Sequence, residues 1–510
     1  MANWAYQRLG APPQSWTPSS RRRQLAYISL GVCMIFLLLL VIARPASGTL
    51  GDYQHNAGSE TNQTKPEPDA TSDANGASEQ CSNGTEPAKD SILKTPGPPT
   101  YEALRKWEDD LPQHDVDLPF PEGRKGRYLK FSNEFKNVGW NNCLNERLLN
   151  AHLAYMSKRA YVFSDYVWAP EHYQWPPEQQ PEGGPRTPLT AIVSGPMAGG
   201  LWGPDDDAPR SISARWFDVV CPESERYLIH TEDVKPIVAN LSGDALFAHW
   251  QKILLDSDER CIEIVPPTPD IDHLPQVFDL WLFGTTRVLS LWDSFSKSPT
   301  SRFLAPSPIV QAAISRNEYL FLPRGPRPPH PAPRDAFART LAIHLRRGDY
   351  LTHCQNMASW GSTYYSWALL PVIVDRFTPL PPDDPARAET MLSHCLPTIA
   401  QLVQKIHDAR EDYIEAGEGR VLDVVYLLTN EHGSWLDELI TELKAAGWYT
   451  IVTSRDLQLD AEQTDVSMAI DMHLARKAAV FIGNGWSSFT SNIIHQRLVD
   501  GREPISIRLT

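Results

Sequence analysis

The chain has 510 residues, enough for about three domain-sized units, and its content of 42% hydrophobic and 10% aromatic residues is typical of a globular protein. Its formal net charge at pH 7 is -15, with 62 acidic against 47 basic residues. This balance argues against a nucleic-acid-binding protein, because such proteins concentrate positive charge to neutralise phosphates.

The N-terminal region predicts a membrane anchor. Residues 1–24 form a polar cytoplasmic tail, and the uncharged apolar stretch 25–43 is long enough to span a bilayer as a helix. A signal peptide is the alternative, but residues 43–46 fit a small-residue cleavage site poorly. Three arginines at 21–23, against the single Arg44 after the stretch, place the N-terminus in the cytosol. We therefore expect a single-pass type II membrane protein of the Golgi or endoplasmic reticulum, with a luminal head.

Residues 44–100 are too polar to bury a core and predict a disordered luminal stem. Acceptor triplets for N-glycosylation begin at Asn62, Asn83 and Asn240. In an oxidising lumen the cysteines beyond the anchor are expected to be paired rather than free. No two of them have C-x-x-C spacing, which argues against a zinc site. The candidate pairs are Cys221 with Cys261 and Cys354 with Cys395, although Cys81, Cys143 and these four allow about fifteen connectivities.

The head begins near Tyr101 with a predicted strand at 126–131, a turn at Gly139 and a helix beyond it. A glycine turn between a strand and a helix aims backbone N–H groups at an anion. An ordinary helix start with an Asn cap is the alternative. Residues 166–210 and 318–337 are proline-dense and loop-like, and the second of them predicts a linker between two lobes. The segment Phe278 to Leu291 between them is expected to be helical.

Past the linker, residues 341–347 predict a buried strand that ends in a turn at Gly348 and delivers Arg346, Arg347 and Asp349 to its carboxyl end. Ligands of α/β proteins bind outside the carboxyl ends of strands, and an Arg fork suits phosphate. We therefore predict a diphosphate ligand. A solvated charge pair or a structural salt bridge is the alternative. The triplet 347–349 also spells a cell-adhesion tripeptide, but a strand end does not display it as an open loop.

The following segments alternate between helices and strands, which predicts a parallel sheet with helices on both faces. The predicted order is a helix carrying Leu392 to Ile406, a strand at 421–428, a helix capped by Ser434 that stops at Gly447, and a strand at 450–452.

The last unit predicts a phosphate site. Asp471 lies in a helix at 468–478, a strand follows at 479–484, and the turn 485–491 leads into a helix that reaches Arg497. Glycine and hydroxyl residues at a helix N-terminus can hold phosphate through N–H and O–H groups and the helix dipole. A plain Ser/Thr helix cap is the alternative. No Gly-Lys-Ser follows, so this is not a nucleoside-triphosphatase loop.

Three of these stretches together resemble the GDP-fucose-dependent fucosyltransferases, in particular the protein O-fucosyltransferase group. They are Gly139-Trp140-Asn141-Asn142, the run from His344 to Asp349, and Phe481 to Asn484 with Ser487 to Ser491. The resemblance is loose over 160–335. It implies an α/β fold of two facing Rossmann-like lobes (GT-B-like), with the acceptor on 101–325 and the GDP-sugar on 338–510.

The resemblance also implies roles for individual residues. Arg346 would grip the β-phosphate and neutralise the departing GDP without a metal or other cofactor, and no D-x-D pair stands in the predicted donor loop. Asn142 would lie near the anomeric carbon as the second catalytic residue. His344 would lie near the ribose or base, Asp471 near the guanine, and Ser488, Phe489 and Thr490 around phosphate. The complete donor-binding set is Gly139, Trp140, Asn141, His344, Arg347, Asp349, Asp471, Ser487, Ser488, Phe489 and Thr490.

The implied reaction is an inverting displacement that moves fucose from GDP-fucose to a hydroxyl of a protein or glycan. Some relatives carry a Glu as general base where this chain has Val138. Glu134 and Glu146 are close in sequence, but each is expected to be a solvated surface carboxylate. Two alternatives are a transferase that uses another GDP-sugar or acceptor, and a non-catalytic relative that binds a glycan or a partner.

Overall fold

The computed structural model describes residues 97–510 except 268–271, 273 and 326–334. The predicted tail and anchor, nearly all of the stem, and residues 326–334 of the proline-rich linker lie outside the described residues, as do Cys81, Asn62 and Asn83. Within the described part, no helix combines the length and apolarity that crossing a membrane requires. The described residues all belong to one compact unit.

Fourteen strands are described. They are β1 (Tyr128–Phe131), β2 (Ala160–Phe163), β3 (Tyr166–Val167), β4 (Arg186–Thr187), β5 (Val193–Ser194), β6 (Ile212–Ser213), β7 (Arg226–His230), β8 (Cys261–Val265), β9 (Ala305–Pro306), β10 (Thr340–Leu345), β11 (Val424–Thr429), β12 (Thr450–Thr453), β13 (Val480–Gly483) and β14 (Ile507–Leu509).

Seventeen α-helices accompany them in the described residues. They are α1 (Glu102–Asp109), α2 (Trp140–Met156), α3 (Leu189–Ile192), α4 (Ala214–Val220), α5 (Thr231–Val238), α6 (Gly243–Asp256), α7 (Leu280–Phe283), α8 (Trp292–Lys297), α9 (Pro299–Arg302), α10 (Pro308–Asn317), α11 (Tyr350–Trp360), α12 (Arg387–Cys395), α13 (Ile399–Glu415), α14 (Ser434–Ala445), α15 (Ala461–Asp465), α16 (Ser467–Lys477) and α17 (Ser488–Val499).

Two five-stranded sheets form the framework. The first has the order β6-β2-β1-β8-β7 and the second the order β12-β11-β10-β13-β14. All pairings within both sheets are parallel. The second order is that of a doubly wound, Rossmann-like sheet, in which the chain reverses its direction of winding between β10 and β13. The predicted α/β class with parallel sheets is confirmed.

Strand β10 is buried along its whole length. Leu341 and Ile343 pack with residues of α13 and α14 on one face of the second sheet, whereas Ala342 packs into the larger core on the other face. Side chains of a strand alternate between its faces, so helices on both sides account for the continuous apolar run in the sequence. The strand ends at Leu345, two residues before the predicted end.

Four local predictions were wrong or only partly right. The segment Leu392 to Ile406 is two helices, α12 and α13, because Pro397 has no N–H to donate and Thr398 caps α13. Ser434 is the first residue of α14 rather than its cap, which is Gly433. Residues 278–291 form only the four-residue α7 followed by a 3₁₀ helix. The predicted loop 166–210 carries short strands and the helix α3.

Both proposed disulfides are present, Cys221 with Cys261 and Cys354 with Cys395. The expected pairing of Cys143 is not seen: no disulfide joins it to another described cysteine, and it is a thiol buried in α2. Burial raises the pKa of this thiol to about 12, so it is present in its protonated form. It packs as a small apolar side chain in the core that includes Leu144 and Trp140.

Candidate functional site at the strand ends

A crevice opens at the carboxyl ends of β10 and β13, where the winding of the second sheet reverses. The space between its lining residues, about 260 Å³, includes open solvent. Such a reversal is the general location for ligands in open α/β sheets. The crevice is lined by His344, Leu345, Arg346, Arg347, Cys395, Leu396, Pro397, Leu402, Asn484 and Thr510. It therefore combines the predicted arginine stretch with the segment that follows β13.

Arg346 lies at the surface of this crevice, with its side chain 40% exposed. Its guanidinium pairs with the carboxylate of Asp349 and lies 5.5 Å from the centre of the Tyr350 ring. Burial pushes the pKa of Asp349 upward, but the hydrogen bond and charge of Arg346 outweigh it and hold that pKa below its usual value. The arginine is thus oriented by an exposed local partner and keeps open sides for a phosphate.

Arg347 points to the other face of the sheet, as the alternation of a strand requires. Its guanidinium lies 4.1 Å from the centre of the Trp435 ring and donates to the carbonyl oxygen of Pro397 at 3.3 Å. Its Nε atom is 3.8 Å from the Glu431 carboxylate. Both arginines line the crevice, and Arg347 also braces the strand end against α14 through Trp435.

His344 lies on the same side of β10 as Arg346 and meets the hydroxyl-rich helix α17. Its Nδ1 atom is 3.3 Å from Oγ1 of Thr490, and its ring centre is 4.6 Å from that of Phe489. Burial and the charge of Arg346 lower the pKa of His344 to about 3, so the ring is neutral at physiological pH. The close approach of α17 depends on Gly483, where a Cβ would lie 2.3 Å from Thr490 Cγ2.

The N-terminus of α17 combines both readings of its sequence. Ser487 caps the helix by accepting a hydrogen bond from the N–H of Phe489 at 3.2 Å. Ser488 is the first helical residue and is partly exposed, whereas Thr490 is fully buried. A capped twelve-residue helix still carries a positive N-terminal dipole, which favours an anion beside Ser488.

The predicted turn of the first sheet reaches this helix. Asn492 of α17 donates from Nδ2 to the carbonyl oxygen and Oδ1 of Asn141, at 2.9 and 3.0 Å. The Tyr365 hydroxyl is 3.5 Å from Oδ1 of Asn142, and the Tyr365 N–H donates to the carbonyl oxygen of Gly485 at 2.8 Å. Asn141 thus joins the two halves of the molecule, and Asn142 lies at their junction.

Gly139 and Trp140 have different surroundings from each other. Gly139 precedes α2, and no atom would lie within 4 Å of a Cβ at that position, so its surface is open. Trp140 is buried and contacts the Tyr166 ring edge-on, with the ring centres 5.2 Å apart. Open backbone at Gly139 suits ligand approach, whereas Trp140 anchors the turn in the core.

Asp471 lies on α16, beneath strands β11 and β12. It accepts hydrogen bonds from the hydroxyls of Tyr426 and Ser454, the latter at 2.8 Å. Burial raises its pKa to about 6, although both hydroxyl bonds act in the opposite direction. The structure therefore gives Asp471 two hydrogen-bond partners within the protein, one on β11 and one just after β12.

Glu134 and Glu146 are both buried, so the expectation of solvated surface carboxylates was wrong. Glu134 accepts from Tyr161 at 2.7 Å and pairs with Arg147 at 3.4 Å, while Glu146 accepts from the Phe135 N–H at 2.8 Å. Burial and the nearby Glu134 raise the pKa of Glu146 well above its usual value, which favours its neutral form. These carboxyls fix the segment that leads to Gly139.

The sequence did not indicate Tyr365, Asn492, Tyr350 or Trp435 as site residues. Asn492 lies only two residues beyond Thr490, the last of the predicted phosphate-binding residues. Its position one helical turn past Ser488 was therefore the available signal. Tyr365 follows α11 in a segment without a recognisable pattern. In the described residues, no group of three or more His, Cys, Asp or Glu side chains is arranged to hold a metal ion.

The sequence matches no protein-family model and no curated protein. Solved structures that are similar in fold include POFUT1 in complex with GDP, at 13% identity over 74% of this chain and 96% of that chain, with a TM-score of 0.42. POFUT1 in complex with GDP-fucose is 13% identical over 74% of this chain and 96% of that chain, with a TM-score of 0.41. NodZ alpha-1,6-fucosyltransferase soaked with GDP-fucose is 11% identical over 73% of this chain and 92% of that chain, with a TM-score of 0.34. These names agree with the family that the sequence motifs resemble, but at such identities and TM-scores the likeness establishes no activity.

Proposed function

We propose that the protein is a glycosyltransferase that moves fucose from GDP-fucose to a hydroxyl of a protein or glycan. One observation carries the proposal: three stretches that the sequence singled out separately meet at one place. Asn141 bonds to α17, His344 bonds to Thr490, and Arg346 lies at the crevice beside them. The Asn141–Asn492 bond joins two stretches that are more than 340 residues apart in the chain. Together these stretches build one site.

In this proposal the diphosphate of the donor lies between Arg346 and the N-terminus of α17. The glycosidic bond breaks with charge accumulating on the diphosphate, so a fixed guanidinium there stabilises the transition state more than the ground state. Inversion at the anomeric carbon and metal independence belong to the proposal. Asn142 would lie on the sugar side of the junction. Buried Glu134 and Glu146 do not face the crevice, so the proton of the acceptor hydroxyl would leave to phosphate or solvent.

We also propose that the head is luminal, in the Golgi or endoplasmic reticulum, behind an anchor at 25–43. Two disulfides support this location, because such bonds form and persist in oxidising compartments.

Thermal shift with GDP, UDP and their sugars tests the donor assignment. GDP should stabilise the protein without added metal, and Arg346→Ala should remove that stabilisation. Release of GDP from GDP-fucose, with and without candidate acceptors, then tests transfer. If only UDP compounds stabilise the protein, the donor is wrong. If GDP binds but no acceptor produces turnover, the protein is a non-catalytic binding relative.

A further inference from the structure

The connection between α5 and α6 carries the acceptor triplet Asn240-Leu241-Ser242. Asn240 and Ser242 are exposed, and the Asn240 side chain makes no hydrogen bond within the described residues. The backbone between them is fixed, since the Leu241 N–H bonds to the carbonyl oxygen of Val238 at 3.1 Å and its own carbonyl accepts from Arg287 at 2.6 Å. The turn therefore presents a free side-chain amide to solvent from a well-defined position.

The neighbouring edge of the first sheet is apolar and exposed. Strand β7 ends the sheet and pairs with β8 alone among the described strands. Tyr227 and Leu228 on it are 50% and 47% exposed, and Ile237 on α5 is 61% exposed. Exposed edge strands are templates for pairing with another chain, and natural proteins cover or charge them. Tyr227 and Leu228 therefore form an uncovered apolar part of this edge.

The turn is well placed to supply that cover. Helix α5 begins at Thr231, directly after β7 ends at His230. A helix that follows a strand in this way packs back along it, so the end of α5 lies towards the residues that begin β7. Ile237 and Asn240 are at that end of α5. A large hydrophilic group on Asn240 would extend over the exposed edge of the sheet.

We propose that Asn240 carries an N-linked oligosaccharide and that this glycan shields the β7 edge from self-association. In the modification, Asn240 Nδ2 forms a bond to C1 of the reducing sugar of a lipid-diphosphate-linked oligosaccharide. The bond from C1 to the diphosphate oxygen breaks, the lipid diphosphate leaves with the electron pair, and the amide loses one proton to a base of the transferring enzyme. The proposal rests on the luminal location proposed above and not on fucosyl transfer.

The site is tested on the full chain expressed in a eukaryotic secretory host. Treatment with peptide N-glycosidase should leave aspartate at position 240 in the tryptic peptide that spans residues 227–252. Asn240→Gln and Ser242→Ala should both abolish this conversion, whereas Ser242→Thr should keep it. An unmodified Asn240 in protein whose two disulfides are formed would overturn the site while leaving GDP binding, and thus the transferase proposal, unaffected.

The shielding role is tested by sedimentation over a range of concentrations. Asn240→Gln should self-associate at concentrations where the wild type is monodisperse, and adding Leu228→Lys should restore monodispersity by charging the edge. If folded Asn240→Gln sediments like the wild type at every concentration, the shielding role is wrong, even where the wild type has been shown to carry the glycan. If Asn240→Gln fails to fold, Ser242→Ala makes the same comparison because it leaves Asn240 in place.

Discussion

The disulfide between Cys354 and Cys395 should hold the donor site together, and the chain supplies its own control. Cys354 lies in α11, which begins directly after Arg346 to Asp349, and Cys395 ends α12 at the crevice. The carbonyl oxygen of Cys395 accepts a hydrogen bond from Asn484 Nδ2 at 2.7 Å. The disulfide joins α11 to α12, and this hydrogen bond connects α12 to the loop after β13.

The second disulfide, Cys221 with Cys261, lies at the first sheet and contributes nothing to the crevice. The two pairs are separated by 40 and 41 residues in sequence. In the chain-entropy model a loop of this length stabilises the fold by about 4 kcal/mol, so removing either pair should lower the free energy of unfolding by a similar amount. Global stability is thus matched between the two double variants, and only the location differs.

We expect GDP affinity to separate them. If removing the Cys354–Cys395 disulfide leaves an open form of the donor site favoured by about 1.3 kcal/mol, the apparent Kd for GDP rises about tenfold in Cys354→Ser/Cys395→Ser. Cys221→Ser/Cys261→Ser should change that Kd by less than about twofold. Titration calorimetry, well below both unfolding temperatures, measures the difference. Cys354→Ala/Cys395→Val fills the same core space if the serine pair fails to fold. Equal GDP affinities in two folded variants would refute the reasoning.

Three further predictions concern single carboxyl groups. Asp349→Asn should tighten GDP binding by about two- to fivefold in titration calorimetry, because an exposed pair worth at most about 1 kcal/mol no longer competes for Arg346; weaker binding would contradict competition. Glu146→Gln should leave the protein more stable than the wild type above pH 4.5 in chemical unfolding. The reason is that the raised folded pKa of Glu146 makes the wild type lose stability as pH rises. Glu134→Gln is the control and should destabilise the protein by about 3 kcal/mol or more, because it removes the carboxylate that pairs with Arg147. The pKa of Asp471 rises from 3.8 to about 6 on folding. The wild type should therefore lose up to about 3 kcal/mol of stability relative to Asp471→Asn as pH rises from 4 to 6. Parallel pH profiles of the two proteins would exclude this.

The second sheet was largely predictable because its signals are local. A buried strand such as β10 has a continuous apolar run, and a glycine stop such as Gly447 has a backbone angle that favours glycine, with φ at 89°. The prediction of one helix around Pro397 was wrong because the apolar pattern at helical spacing continues across the break between α12 and α13. The two disulfides were proposed only as guesses, since sequence does not choose among connectivities.

The arrangement of the site was less predictable because it depends on contacts between distant segments. Nothing local in the sequence shows that Arg347 would stack on Trp435, since that contact depends on where α14 packs. The burial of Glu146 was missed for a related reason. A carboxyl on a helix is usually solvated, and only the packing of the 133–139 segment over α2 reverses that expectation.

The Asn141 bond to Asn492 gives the proposed site its dependence on both sheets. Gly139 to Asn142 belongs to the first sheet and the helix α17 to the second, so any change in their spacing moves Asn142 relative to Arg346. The two bonds from Asn492 are buried and go to one residue, which makes their loss costly and local. Under the proposed function, a site divided in this way would bind the nucleotide through one half alone, whereas placing the sugar would need both. Loss of the Asn141–Asn492 contact should therefore reduce turnover far more than GDP affinity, a separation that a site confined to the second sheet would not show.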